Sequence, residues 1–192
     1  MTTNRPTNGC ATLLMDLQVD FLAARDENPP PRLPVDAAGA ARVIATANAV
    51  LSGRAGGPTL PLLVLNQYPK DDTLGNLMRR HAAIRGSMGA RLDPRIQASP
   101  RVPMFAKSAA SAFSNPELDA WLKPLRIRRL QILGVFAEGC VLATALDAVQ
   151  RGYEVVIPVD AIASNSRLKK WFALWSLKRS GVTLVPSLLP ER

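Results

Sequence analysis

The sequence predicts an α/β fold: a three-layer, Rossmann-like parallel sheet of about six strands with helices on both faces. Three observations carry that prediction. Short apolar runs recur along the 192 residues, separated by longer amphipathic stretches. The runs are continuous rather than alternating, as in strands covered on both faces. Strand and helix signals alternate along the chain, and strand–helix–strand repetition gives parallel neighbours joined by crossovers.

The first strand is expected over residues 11–17 (ATLLMDL). Residues 24–34 contain Asn28, Pro29, Pro30, Pro31 and Pro34, the composition of an extended loop. A helix over 35–51 leads to the second strand, 60–66 (LPLLVLN). Residues 67–101 are weakly patterned, with Gly75, Gly86, Gly89, Pro94 and Pro100 and one helical turn near 76–80. A connection this long within a compact domain points to function. The third strand is 102–106 (VPMFA), and Asn115-Pro116 opens a helix over 115–123 with an N-cap and a first-turn proline. The fourth strand, 130–135 (LQILGV), precedes a helix over 138–151 that ends at Gly152. A fifth strand (153–159), a helix (168–180) ended by Gly181, and a sixth strand (182–186) complete the pattern. With no repeat or linker, residues 1–192 read as one domain, with 1–10 a flexible N-terminus.

Composition narrows the function. Hydrophobic residues make up 47% and charged residues 20%, a globular balance. Two cysteines, Cys10 and Cys140, exclude a disulfide framework, and a single histidine, His81, excludes a site with two His ligands. No stretch of about 18 uncharged apolar residues is present, so no membrane span is expected. Residues 1–9 lack the apolar core of a signal peptide, and a cytoplasmic protein without a membrane partner is the expectation. The net charge is +9, but the cations are dispersed and aromatics are only 5%. That reads as solvated basic faces, with no nucleic-acid partner expected. Neither a P-loop nor G-x-G-x-x-G is present, so no nucleotide cofactor is expected, nor any other cofactor.

Sites in open parallel sheets lie beyond the carboxyl ends of the strands. Asp16 ends the first strand, Lys107 follows the third, and Cys140 follows the fourth within Ala137-Glu138-Gly139-Cys140. Singly, each has a structural explanation: a turn cap, a solvated lysine, a small core residue. Together, an acid, a base and a thiol at one edge suit nucleophilic catalysis. Helix N-terminal amides and a neighbouring ammonium lower a thiol's pKa, and a carboxylate can take its proton. Backbone N–H groups over residues 134–140 are candidates to hold an oxyanion. Cys10, placed before the first strand, reads as structural.

The sequence resembles the isochorismatase-like cysteine hydrolases, which include nicotinamidases, N-carbamoylsarcosine amidohydrolases, biuret hydrolases and isochorismatases. Five blocks carry the resemblance in order. They are Leu14-Met15-Asp16-Leu17-Gln18-Val19-Asp20-Phe21, Lys107-Ser108-Ala109-Ala110-Ser111-Ala112-Phe113, and Gly134-Val135-Phe136-Ala137-Glu138-Gly139-Cys140-Val141. The segments Ala143 to Ala148 with Gly152 to Val155, and Val159 to Ser164, follow. The resemblance implies Asp16 as base, Lys107 as charge partner and Cys140 as nucleophile. It also implies a non-proline cis peptide at Val135–Phe136, with the Phe136 and Cys140 amides as oxyanion hole. Phe21 is expected to wall the pocket, and Gln67, Tyr68 and Phe113 to contact a small-molecule substrate. Phe136 is larger than the residue usual there, which narrows the pocket. The family's members usually form homodimers or homotetramers.

Two departures bear on the reaction. Nicotinamidases carry Asp-x-His after the second strand, together with further histidines that bind a metal. Here that stretch reads Asn66-Gln67-Tyr68-Pro69, so the expectation is no metal and no nicotinamidase site. Isochorismatases cleave a vinyl ether without a cysteine nucleophile, whereas Cys140 points to C–N cleavage. The expected activity is therefore a metal-independent cysteine amidohydrolase acting on a small amide, ureide or carbamoyl-type substrate. The rivals are an idle family member that binds a small molecule or a protein, a vinyl-ether hydrolase, and a basic nucleic-acid-binding module.

Overall fold

The computed structural model describes residues 8–24 and 30–189. Its elements are β1 (Cys10–Met15), α1 (Val19–Leu22), α2 (Ala37–Leu51), β2 (Leu60–Asn66), α3 (Thr73–Met78), β3 (Met104–Lys107) and α4 (Pro116–Leu122). They continue with β4 (Arg129–Val135), α5 (Leu142–Gln150), β5 (Glu154–Pro158), β6 (Ile162–Ala163), α6 (Arg167–Arg179) and β7 (Thr183–Val185). All strand pairs are parallel, in the order β3-β2-β1-β4-β5-β7, with β6 against the end of β4. The predicted three-layer sheet is thus present, with the two-residue β6 added.

Period-two alternation explains the continuous apolar runs. Leu13 and Met15 of β1, Leu62 and Val64 of β2, and Leu130 and Ile132 of β4 face a core closed by α4, α5 and α6. Leu14, Leu63 and Leu133, from the same three strands, face a second core closed by α1, α2 and residues of the long 67–101 connection. Both faces are buried, so both sets of positions are mainly apolar, and the buried Thr12 is paired with Thr59 and Gln131.

Local chemistry sets the boundaries. The Asp36 side chain accepts the Gly39 N–H and starts α2 two residues later than the sequence pattern suggests. Asn115 accepts the Glu117 N–H and Pro116 occupies the first turn of α4, as predicted. Of the expected flexible N-terminus, residues 1–7 lie outside the described residues. By Gly9 the chain is already joined to the fold, since its carbonyl accepts the Arg128 and Arg129 N–H groups. Cys10 is accordingly the first residue of β1 rather than a residue before it, buried at the sheet's amino end. The expected extended loop over 24–34 lies partly outside the described residues. On α6, Trp171, Phe172 and Trp175 stand 48–61% exposed, so this aromatic cluster is not core.

The topology creates one crevice. The chain winds outward from β1 through β2 and β3, then crosses to β4 and continues the other way. Beyond the carboxyl ends of β1 and β4, connections leave in opposite directions, and ligands bind at such a switch point. β1 and β4 approach closely here because position 134 is glycine. Met15 and Gly134 are register partners. Gly134 has φ +126°, and a Cβ there would lie 2.1 Å from the Met15 carbonyl oxygen. Gly134→Ala is expected to cost about 3 kcal/mol or more, because backbone rather than a flexible side chain must move. Thermal melting should fall by about 6–12 °C, and an unchanged melting temperature would remove this explanation.

Candidate active site

Three strand ends deliver three polar side chains to the crevice. Asp16 directly follows β1 with φ +56°, a left-handed turn that swings its carboxylate off the strand direction. Its N–H still donates to the Val64 carbonyl at 2.7 Å, which ties the turn to β2. Asn66 ends β2 and Lys107 ends β3, and the two are register partners. Cys140 follows β4 across the Val135–Phe136 bond, which is cis.

Sequence reasoning places Cys140 in the first turn of a regular helix. Instead, residues 137–141 form a π-type turn that Gly139 interrupts with φ −110° and ψ −105°, and α5 begins only at Leu142. The Phe136 carbonyl accepts the Gly139 and Val141 N–H groups at 3.0 and 3.2 Å, which fixes this turn.

Lys107 Nζ lies at the centre of the site. It is 2.7 Å from Asn66 Oδ1, 3.1 Å from Asp16 Oδ2, and 3.2 Å from both Cys140 Sγ and the Ala109 carbonyl. Asn66 Nδ2 in turn lies 3.7 Å from Sγ. All four residues are buried, Asp16 completely and Cys140 to within 8%. The structure thus brings together the three side chains that the sequence singles out, and adds Asn66.

Burial sets the protonation states. It pushes the Cys140 thiol up to about 12, with the nearby Asp16 charge adding to the rise while Lys107 and Asn66 oppose it. The thiolate expected from the sequence is therefore not the resting form: the sulfur keeps its proton. Burial also raises Asp16 above the usual carboxylate range, although Lys107, Cys140 and the Asn66 backbone pull against it. For Lys107, burial favours the neutral form, but the Asp16 and Cys140 charges outweigh it and hold the ammonium above the ordinary lysine range. The site is thus an ammonium between a carboxylate of raised basicity and a protonated thiol.

The remaining predicted residues divide. Phe21 is buried and meets the Phe136 ring edge-on, with centroids 5.4 Å apart. Gln67 is half-buried beside Lys107, donating its N–H to the Lys107 carbonyl at 2.7 Å and Nε2 to the Ala90 carbonyl at 3.4 Å. Tyr68 is buried, with the Arg79 guanidinium 3.9 Å from its ring centroid. Burial raises its hydroxyl to about 12, with the Cys140 and Asp16 charges contributing, so it lies within the field of the site. Phe113 does not join this group. It stacks on Tyr153 at 5.8 Å, with Arg151 over its ring at 4.8 Å, in the core beneath α4 and α5. The Ala112 N–H donates to Thr144 and Ser111 donates to Asp147, and these anchors to α5 turn the Phe113 ring inward.

Two residues beside Asp16 escaped the sequence reading. Gln18 donates Nε2 to the Asn66 and Ala90 carbonyls at 2.8 Å and accepts the Asn66 N–H at 2.9 Å. Asp20 accepts the Ala83 N–H at 2.8 Å and the Arg32 N–H at 3.2 Å. Together they hold the 67–101 connection over the site. The available signal was their spacing, since polar residues at 16, 18 and 20 interrupt an otherwise apolar segment.

Comparison with known proteins gives a consistent set. The family model described as the isochorismatase domain matches residues 10–187. Isochorismatase domain-containing protein 1 from Danio rerio is 33% identical over 129 residues, 67% of this chain and 39% of that protein. The matched stretch therefore spans about two-fifths of that relative. N-carbamoylsarcosine amidase from an Arthrobacter species is 36% identical over 79 residues, 41% of this chain and 30% of that protein. Among solved structures, the pyrazinamidase of Pyrococcus horikoshii in complex with zinc superposes with a TM-score of 0.78. It is 24% identical, covering 92% of this chain and 98% of that one.

At and beyond the end of β2 stand Asn66, Gln67 and Tyr68, and the Lys107 ammonium and Arg79 guanidinium already supply positive charge. Among the described residues, no group of three or more His, Cys, Asp or Glu side chains is placed to hold a metal ion. The described residues at this site do not fit a metal. Also among the described residues, no helix is long and apolar enough to cross a membrane.

Proposed function

The chain belongs to the isochorismatase-domain family, and from that premise we propose that it is a cysteine amidohydrolase cleaving a C–N bond of a small amide, ureide or carbamoyl-type substrate. The observation that carries the reading is Lys107 Nζ, within 3.1 Å of the Asp16 carboxylate and 3.2 Å of Cys140 Sγ at the switch point of the sheet.

Attack begins from the protonated thiol. As Sγ bonds to the substrate carbonyl carbon, its proton passes to Asp16, whose raised basicity suits the transfer. The carbonyl oxygen gains the negative charge, and the amides of Phe136 and Cys140 are the proposed donors to it. Asp16 then returns the proton to nitrogen as the C–N bond breaks, releasing ammonia or an amine and leaving a thioester on Cys140. For a ureide the adduct is a thiocarbamate. A water molecule, losing its proton to Asp16, hydrolyses the adduct to a carboxylic or carbamic acid, and the thiol recovers its proton. Lys107 remains an ammonium throughout and offsets the charge that moves between sulfur and Asp16. Phe21, Phe136 and Tyr68 wall the site, and Gln67 offers an amide for a polar substrate group.

The test is ammonia release from a panel of amides, ureides and carbamoyl compounds, with heat-denatured protein as control. Release from at least one member is expected. Dialysis against EDTA should leave the rate within about twofold, because among the described residues no group of His, Cys, Asp or Glu side chains is placed to hold a metal ion. A rate that falls on dialysis and returns with zinc, iron or manganese would contradict the metal-independent mechanism.

A further inference from the structure

The geometry points to Asn66 as a positioning residue that sets the charge balance between Lys107 and Cys140, an inference that rests on the amidohydrolase reading.

Its contacts specify which way its amide faces. Lys107 Nζ carries donors only, so the Asn66 atom 2.7 Å away is the oxygen. The nitrogen is thereby turned to Sγ at 3.7 Å. One planar group thus accepts from the ammonium and donates to the sulfur. The contact with Oδ1 is the shortest that Nζ makes, so Asn66 determines where the ammonium sits between carboxylate and sulfur. A donor aimed at Sγ stabilises negative charge as the thiol gives up its proton.

The backbone of Asn66 is held independently of its side chain. Gln18, fully buried, accepts its N–H and donates to its carbonyl, so the strand end is clamped at two points. The register pairing with Lys107 fixes the spacing between the two strand ends at about 4.8 Å. Changes to the amide can therefore be made without releasing β2.

Residue chemistry argues for asparagine in particular. A carboxylate here would hold the ammonium as well, but would present a second negative charge to the sulfur. An apolar side chain would remove the shortest contact that Nζ makes and the Nδ2 donor that faces Sγ.

The test uses alkylation of Cys140 by iodoacetamide between pH 5 and 10 in the 192-residue chain, followed by peptide mass spectrometry. Asn66→Asp keeps shape and clamp but turns the donor into an acceptor. Its alkylation at pH 7 should be at least about tenfold slower than wild type, and the rate profile should move up by about one pH unit or more. Asn66→Ser is the second variant. It keeps the backbone clamp and loses both amide contacts, and should be about three- to tenfold slower. Melting temperatures read the fold separately, since a merely structural role would lower them without moving the pH profile. Profiles of both variants that superpose on wild type would overturn the inference. Failure of the amidohydrolase reading looks different: the wild-type protein would then release no ammonia from any amide, ureide or carbamoyl compound. The Asn66 ratios are measured against wild type in either case.

Discussion

Cys140→Ala is expected to abolish turnover, with a loss of about 10⁴-fold or more, while the protein remains folded. On the proposed mechanism, removing Sγ removes the atom that would bond to the substrate. Stability should change little. The residue is small, and its thiol makes one long contact with Asn66 and one with Lys107. The melting temperature should stay within about 3 °C of wild type. Residual hydrolysis at a tenth of the wild-type rate would remove the cysteine mechanism, whatever the state of the fold.

Asp16→Asn is expected to lower kcat by about 10²–10⁴-fold, since it keeps shape and removes the proton acceptor. The pH profile gives the finer test. Burial raises Asp16 above the usual carboxylate range. The base is active only when ionised, so activity must fall as pH drops through that raised value. The acid limb of kcat/KM should therefore have its midpoint above the ordinary carboxylate value of about 4. On the alkaline side, Lys107 is held above the ordinary lysine range, so its deprotonation should cause no loss below about pH 10. Because Asp16 and Cys140 shift each other's titration, the limb belongs to the pair. Asp16→Asn combined with Lys107→Ala should be little worse in rate than the poorer single variant, because the three groups act as a unit. Lys107→Ala alone leaves Asp16 without its ion pair, and a stability loss of about 3–5 kcal/mol is expected where the carboxylate stays charged. Near-native kcat with a lowered melting temperature in both single variants would reduce Asp16 and Lys107 to structural roles.

Much of the fold was legible because the strands are buried on both faces. Leu13 and Leu14 enter different cores, yet both must be apolar, and the run reads as a strand. The grouping of Asp16, Lys107 and Cys140 was legible because the three stand at or just past the ends of three strands, where chain order alone brings them to one edge. Asn66 ends a strand too, but its partnership with Lys107 depends on the pairing of β2 with β3 rather than on spacing. Gln18 and Asp20 bond to backbone groups more than 60 residues away in the long connection, which leaves no local signal. Phe113 was misplaced because its motif follows Lys107 closely, while its orientation is set by the anchors to α5. The turn at Cys140 reads as helix because every residue in it tolerates a helix except Gly139, whose φ and ψ depart from one. The direction of the Cys140 shift was likewise hidden. The sequence shows a cation nearby, but not that burial outweighs it.

The most direct measurement is rapid acid quench of the wild-type protein during turnover of an accepted substrate, followed by intact and peptide mass spectrometry. A thioester or thiocarbamate is expected on the peptide that carries Cys140, with the mass of the substrate's acyl or carbamoyl part. Hydroxylamine should release it, and Cys140→Ala should never form it. Sustained ammonia release with no adduct on Cys140 at any quench time, together with undiminished turnover in Cys140→Ala, would contradict the account.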